Sequence, residues 1–456
     1  MSPAAPGSTN QATADAPPPI LRRAIAAAAV GNFTEWFDYG VYSVVATYIA
    51  KALAPGDSIA VTLGAFAVSF LIRPIGGLVW GPLGDRIGRR RVLATTILLM
   101  AGSTFCVGLI PSYAKIGWIA TLLLYLLRMI QGFSTGGEYG GAATFMAEYS
   151  PDRKRGFFGS FLEFGTLSGF AGGSLVTLAL QLSTSDSFMQ TWGWRIPFFV
   201  ALPLGLIGLY LRSRLDETPA FRDLDEKGQT EERATTALKD LVTGYWRPIL
   251  TLSGLVIALN VVNYTLLSYM PTYVQTRLGL SETQALVLAS VGQLFMMCFL
   301  PLSGALSDRV GRKPMWLFSM IGLFVVAVPM YLIMPINFGL TIVAFMVLGL
   351  LYVPQLSTIS ATFPAMFPTQ VRYAGFAIGY NIATSLFGGT APLINDAMIS
   401  WTKIDIFPAF SMMAACVVGV IAWFSMKETA GASLRGTKTP ETRRSKTGKI
   451  ISADAS

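Results

Sequence analysis

The sequence predicts an all-α integral membrane protein, a bundle of twelve transmembrane helices in two six-helix halves. Three observations carry that prediction. Hydrophobic residues make up 53% of the 456 and charged residues 13%, against roughly 25% charged in an average soluble domain. The apolar residues gather into runs of about 20, long enough as helix to cross about 30 Å of hydrocarbon. A polar decapeptide, Gly-x-x-x-Asp-Arg-x-Gly-Arg-(Arg/Lys), occurs at Gly81–Arg90 and again at Gly304–Lys313. A short polar loop recurring at half-length between two apolar runs signals internal duplication.

In order, the runs cover 23–50, 59–83, 91–111, 116–147, 157–181 and 194–213, then 248–276, 283–306, 314–334, 339–362, 373–399 and 406–426. Each decapeptide joins the second and third run of its half. Residues 1–21, rich in Pro and Ala, read as a disordered tail, and Arg22 and Arg23 open the first run. Residues 22–213 form the N-terminal bundle and 214–247 a polar linker with Asp216, Glu217, Asp223, Asp225 and Glu226. Residues 248–427 form the C-terminal bundle. The basic tail 428–456 has no apolar heptads, so no coiled coil is expected. Parallel repeats of this kind place a substrate cavity between the halves near mid-membrane, which points to solute movement across a membrane.

The formal net charge of +9 has a topological pattern. With the first residues inside, 27 of the 34 Lys and Arg fall in cytoplasmic segments, and only Lys51, Lys115, Arg277 and Lys403 fall outside. That bias orients both termini to the cytoplasm. It sets the basic clusters against anionic lipid and argues against a nucleic-acid surface. Cys106, Cys298 and Cys416 lie singly in different runs without metal-ligand spacing, so no metal is expected. The chain has no histidine, which leaves proton chemistry to carboxylates. No metal cluster, Ser/His/Asp set or phosphate loop suggests an enzyme, and no cofactor is expected.

The decapeptide loops are short enough to force antiparallel neighbours, and Gly88 and Gly311 can supply the positive φ such a turn needs. Asp85 and Asp308 can accept from a neighbouring helix N-terminus or pair with an arginine four residues on. With Gly81, Arg86, Arg89, Gly304, Arg309 and Arg312 they form a candidate cytoplasmic gate. The alternative is a loop that only retains charge on the inner side.

Ionisable residues inside spans are costly and are functional candidates by default. The N-half holds Glu35, Asp38, Arg73, Arg128, Glu138 and Glu163. The C-half spans hold only Asp396, with the neutral Asn260, Asn263, Asn381 and Asn395. Glu35 and Asp38 are three positions apart, hence on one helical face. Two carboxylates so close can share a proton, so Glu35, Asp38, Glu138 and Glu163 are the proton-coupling candidates, with Arg73 and Arg128 as counter-charges. A static ion-pair network is the competing reading. Trp36, Tyr39, Tyr42, Tyr264 and Tyr380 offer aromatic faces that attract a desolvated cation, and either arginine can hold a carboxylate. With Asn263 and Asn381, these make a substrate site suited to a zwitterion.

The doubled decapeptide with Arg128–Glu138 resembles the major facilitator superfamily. Gly31–Gly40, Arg73-Pro-Ile-Gly-Gly77, Tyr149-Ser-Pro-Asp-Arg-Lys-Arg-Gly156 and Trp194-Arg-Ile-Pro197 resemble its metabolite:proton symporter family. Ser103–Tyr113, Glu217-Thr-Pro-Ala-Phe221, Tyr269-Met-Pro-Thr-Tyr273 and Pro364–Thr369 are similar to the proline/glycine-betaine transporter group within it. The resemblance spans about residues 22–430. It implies proton-coupled uptake of compatible solutes such as proline and glycine betaine, driven by the proton gradient across a bacterial inner membrane. It also implies osmotic activation, and separately a monomer is expected. Some members of that group carry a C-terminal coiled coil that this tail lacks, and Glu163 stands where Asp is expected. The alternative within the family is a symporter for an anionic metabolite such as a dicarboxylate. That cargo would want cationic groups from both halves, and the C-half spans offer none.

Overall fold

The computed structural model describes residues 18–87, 89–136, 138–213, 243–368, 371–434, 439–444 and 450–451. The linker 214–242 and residues 1–17 lie outside them.

Among the described residues twelve long helical segments follow one another, with short helical turns such as Tyr113–Ile116 and Asp186–Thr191 between them. α1 is Pro18–Val44 continued by Ala46–Leu53, α2 is Ile59–Leu71 and Arg73–Ile87, and α3 is Arg89–Leu109. α4 is Trp118–Thr135 and Glu138–Tyr149, α5 is Arg155–Ser183 and α6 is Ile196–Ser213. In the second half α7 runs Trp246–Asn263 and Met270–Thr276 through a π-helical turn at Tyr264–Tyr269. α8 is Glu282–Val310, α9 is Arg312–Ile333, and α10 is Phe338–Leu356 with Ile359–Thr362. α11 is Arg372–Ala383 and Ala391–Thr402 around a π turn at Thr384–Gly388, and α12 is Phe407–Ser425. Eight stretches among the described residues are long and apolar enough to cross a membrane by length and composition. The only ladder among the described residues pairs Arg443 with Ile451 and Arg444 with Ile450.

The first helix begins at Pro18, inside the stretch expected to be disordered. Proline is at home in a first helical turn, where its missing N–H costs nothing. The α8–α9 turn is a single residue, Gly311, at φ +110°, a backbone conformation that favours glycine. The equivalent Gly88 lies outside the described residues.

An even number of segments brings the start of α1 and the end of α12 to one end of the bundle. That end also holds both decapeptides and is called the motif end below. The two halves meet along α5 against α8 and along α2 against α11. A continuous buried cluster from Trp36 and Phe170 to Tyr264, Tyr352 and Phe376 runs through both halves.

Candidate functional site

The site begins with the ion pairs of the first half. Asp38 and Arg128 are fully sequestered, with Arg128 Nη1 donating to Asp38 Oδ2 at 3.0 Å. Gln131 Nε2 adds a bond to Asp38 Oδ1 at 3.3 Å. The Arg128 guanidinium lies 4.1 Å from the Tyr42 ring centre and 5.4 Å from that of Tyr39. A guanidinium cannot shed its charge, so in a dry interior it requires such company. Arg73 is held more loosely. Its Nη2 donates to the Tyr39 hydroxyl at 2.6 Å and stands 3.8 Å from Glu35 Oε1, beyond hydrogen-bond reach. Arg73 Nε has no partner among the described residues.

Next to this pair the rings of both halves pack into a buried aromatic cluster, called the chamber below. Trp36 sits 5.4 Å from Tyr39, 6.5 Å from Tyr139 and 6.4 Å from Tyr264, ring centre to ring centre. Tyr139 stacks on Tyr380 at 4.6 Å with planes 18° apart. Phe66 and Phe70 close a further side against Tyr264 at 6.1 and 4.9 Å. Trp36 is positioned by its Nε1, which donates to Asn32 Oδ1; Asn32 in turn donates to the Leu162 carbonyl and to Thr166 Oγ1. Rings locked this way present their faces at little entropic cost, which suits a cation.

Glu163 joins the walls. Its Oε1 accepts from the Tyr139 hydroxyl and its Oε2 from Thr166 Oγ1 at 2.9 Å. Tyr139 leads to Tyr380 in the second half, and Thr166 leads through Asn32 to Trp36. Glu163 makes no ion pair among the described residues, unlike Glu35 and Asp38. It is the carboxylate whose charge is met by hydroxyls alone.

The second half contributes neutral groups. Asn260 Nδ2 donates to Thr384 Oγ1 at 2.6 Å, and the Tyr352 hydroxyl donates to Asn263 Oδ1 at 2.9 Å. The two π turns meet here: a side chain at Gly388 would strike Tyr264 at 2.8 Å and Asn260 at 3.0 Å. π turns break the regular ladder and recur at functional sites. The buried Tyr264 hydroxyl has no partner among the described residues. Asp396 stands apart, paired at 3.0 Å with Arg277 toward the opposite end of the bundle.

The chamber is bridged on both sides. At the motif end, the Gly156 and Phe157 amides of α5 donate to the two Asp308 carboxylate oxygens at 2.8 and 2.9 Å, while Arg312 Nη2 bonds Asp308 Oδ1 at 2.6 Å. Asp308 thus meets a helix N-terminus and its own i+4 arginine at once. Asn381 Nδ2 donates to the Gly136 carbonyl at 3.1 Å and Arg372 pairs with Glu148 at 2.9 Å, both across the halves. At the opposite end, Thr47 Oγ1 donates to Gln275 Oε1 at 2.8 Å and Lys51 pairs with Glu282 at 3.4 Å.

Several expectations need correction. Tyr42 donates to the Thr62 carbonyl at 2.8 Å and covers Arg128, so it belongs to the ion-pair nest rather than the chamber wall. Arg128 is committed to Asp38 and leaves Arg73 as the cation beside the chamber. Asn381, next to Tyr380, spans the halves, and its amide nitrogen is already engaged by the Gly136 carbonyl. The tail is packed against the bundle from residue 428, which composition alone does not indicate. Thr429, Ala430, Ala432 and Leu434 are buried, Leu434 between Ala147 and Ala365. Glu428 accepts the Arg312 and Lys313 amides, and Arg155 and Arg372 donate to the Ala432 and Leu434 carbonyls at 2.9 and 2.6 Å. Gly81 lies within the Arg73–Ile87 helix, while the side chains of Glu138, Asp85, Arg86 and Arg89, and the position of Gly88, lie outside the described residues. Arg309 is at the last turn of α8 beside Asp308.

Sequence reasoning missed Tyr139, Phe66, Phe70, Asn32, Thr166 and Gln131. The one available signal was Tyr139 within a glycine-rich stretch of a polar span.

Comparison with known proteins follows the same lines. The family model described as Major Facilitator Superfamily matches residues 28–392. The chain is 45% identical over 427 residues to the proline/betaine transporter of Escherichia coli (strain K12), covering 91% of this chain and 85% of that protein. It is 43% identical, with the same coverage, to the glycine betaine/proline/ectoine/pipecolic acid transporter OusA of Dickeya dadantii. It is 41% identical to the ectoine/proline transporter ProP of Corynebacterium glutamicum, over 92% of this chain and 86% of that one. Among solved structures, the proton:xylose symporter XylE bound to 6-bromo-6-deoxy-D-glucose superposes with a TM-score of 0.72 at 20% identity. It covers 91% of this chain and 98% of its own, a likeness of fold.

Proposed function

The chain belongs to the Major Facilitator Superfamily, and from that premise we propose that it is a proton symporter of zwitterionic compatible solutes such as proline and glycine betaine. It is a multi-pass membrane transporter and not an enzyme. In this reading it works as a monomer in a bacterial inner membrane, with the motif end cytoplasmic and its basic loops against anionic lipid. It uses the proton gradient and no cofactor, and osmotic stress activates it.

One observation carries the substrate assignment. A buried cluster of Trp36, Tyr39, Tyr139, Tyr264 and Tyr380 lies beside Arg73, whose Nε donor has no partner among the described residues. A zwitterion fits both features: its carboxylate takes the guanidinium and its cationic nitrogen lies against ring faces. Its relatives, named as transporters of proline, betaine and ectoine, support the same class.

The cycle follows from the connections. Solute enters from the outer side while the coupling carboxylates of the first half hold a proton. Its carboxylate competes with Glu35 for Arg73, which ties solute occupancy to the charge state of α1. A proton on Glu163 alters the acceptor shared by Tyr139 and Thr166 and so reaches the Tyr139–Tyr380 contact between the halves. Rocking of the halves then parts Asp308 from the Gly156 and Phe157 amides and opens the chamber inward.

A dicarboxylate cargo is the second reading, and the neutral wall of Asn260, Asn263 and Tyr352 speaks against it. Proteoliposomes with an imposed proton gradient test the proposal through uptake of labelled proline, glycine betaine and a dicarboxylate. Gradient-dependent accumulation of the first two is expected. Equal uptake with and without the gradient overturns symport, and uptake of the dicarboxylate alone overturns the cargo.

A further inference from the structure

The two carboxylates of α1 and the rings of α1 serve different spaces. Trp36 and Tyr39 follow Glu35 and Asp38 by one residue, which turns them about 100° around the helix. The rings face the chamber between the halves. The carboxylates form part of the wall of a separate crevice between α1, α3 and α6, lined also by Gly31, Thr34, Thr104 and Gly205. The chain directions give this crevice a polarity. Gly31 and Thr34 on α1, Ile97 on α3 and Gly205 on α6 lie toward the motif end, while Asp38, Thr104 and Ala201 lie deeper. Thr34 and Ile97 are partly exposed at its rim. From Gly31 to Asp38 the helix rises about 10 Å.

Behind Asp38 and Thr104, which line the crevice, the packing is short of hydrogen-bond partners. Arg128 Nε and Nη2 and Gln131 Oε1 are buried beside Asp38 with no partner among the described residues. Buried polar atoms of that kind are normally satisfied by ordered water.

The geometry points to a water-filled proton route through this crevice, separate from the solute route, by which Glu35 and Asp38 exchange protons with the motif side. A hydronium delivers its proton to a carboxylate oxygen and leaves as water, and the reverse step releases it; no other bond changes. Among the described residues the charged groups facing the pair are Arg73 and Arg128, with Glu163 of α5 near Glu35. The inference rests on the assignment of Glu35 and Asp38 as proton carriers in a symporter.

The test places single cysteines in the protein with Cys106, Cys298 and Cys416 changed to serine. Thr34→Cys and Ile97→Cys probe opposite walls, and Leu98→Cys, one position on and exposed at 45%, is the control outside the crevice. A membrane-impermeant cationic methanethiosulfonate is applied from the motif side in proteoliposomes. Labelling at positions 34 and 97 is expected to lower proton-driven proline accumulation by about tenfold or more, while proline exchange at equal pH stays within about twofold. Labelling at 98 is expected to change neither. Three results overturn the separate route: no labelling at 34 and 97, labelling without effect on accumulation, or parallel loss of exchange and accumulation. Protein that exchanges no proline before labelling contradicts the solute assignment instead, and the labelling rates at 34 and 97 against 98 then decide whether the crevice holds water.

Discussion

The interiors of the two halves share an architecture and differ in chemistry. Around the chamber the first half places Glu35, Asp38, Arg73, Arg128 and Glu163, all at most 3% exposed. At corresponding depth the second half offers Asn260, Asn263, Gln293, Tyr352 and Gln355. Charges in a dry interior are retained at high cost; the second half keeps its buried Arg312, Arg372 and Asp396 toward the two ends, so the confinement of charge around the aromatic cluster to the first half marks that half as the one whose charge state changes. Neutral amides and hydroxyls hold one geometry regardless of the proton and suit recognition. The contrast teaches that a duplicated scaffold can divide coupling and recognition between its copies.

The largest expected effect comes from breaking the charged half. Asp38→Asn leaves Arg128 buried without a counter-charge, a loss of about 3–5 kcal/mol for a severed buried pair. Uphill uptake should vanish and the thermal midpoint should fall. Adding Arg128→Gln to Asp38→Asn should restore much of the stability and none of the accumulation. Recovered accumulation in the double variant would assign the pair a structural role.

Next in size is the shared aromatic wall. Trp36→Ala should raise the KM for glycine betaine by about tenfold, because a desolvated cation–π contact contributes up to about 2 kcal/mol. Trp36→Phe should restore most of the affinity. An unchanged KM would place the cation elsewhere.

Third, Asp308→Asn removes a charged acceptor from the α5 amides and from Arg312, an effect of about 1–3 kcal/mol. Chemical labelling of cysteines placed at the motif end should rise as that end opens more often. The smallest effect belongs to the neutral half: Asn260→Ala should change KM by a few-fold, about 1 kcal/mol for one hydrogen bond, and leave the proton dependence intact.

The spans and the doubled decapeptide are legible in the sequence because both signals are local: a run of apolar residues and a spacing. The one-residue turn at Gly311 and the i+4 pair of Asp308 with Arg312 are local too. What brings Tyr139 onto Tyr380, or Glu163 onto Tyr139, is packing between distant segments, and no spacing encodes it. Arg73 and Arg128 look alike along the chain, and only the distances of 3.8 Å and 3.0 Å to their carboxylates separate them. The π turns in α7 and α11 leave no periodic signal. The packing of residues 428–434 was hidden for another reason: the segment is held through its backbone carbonyls, which accept from Arg155 and Arg372 and which composition does not reveal.

The most direct test of the division between halves compares accumulation with exchange for Glu163→Gln in one proteoliposome preparation. The account predicts that proline exchange persists while the accumulation ratio collapses to about one, the signature of transport without a driving ion. Concentrative uptake by Glu163→Gln that matches the unmodified protein, together with collapse in Asn260→Ala, would contradict it.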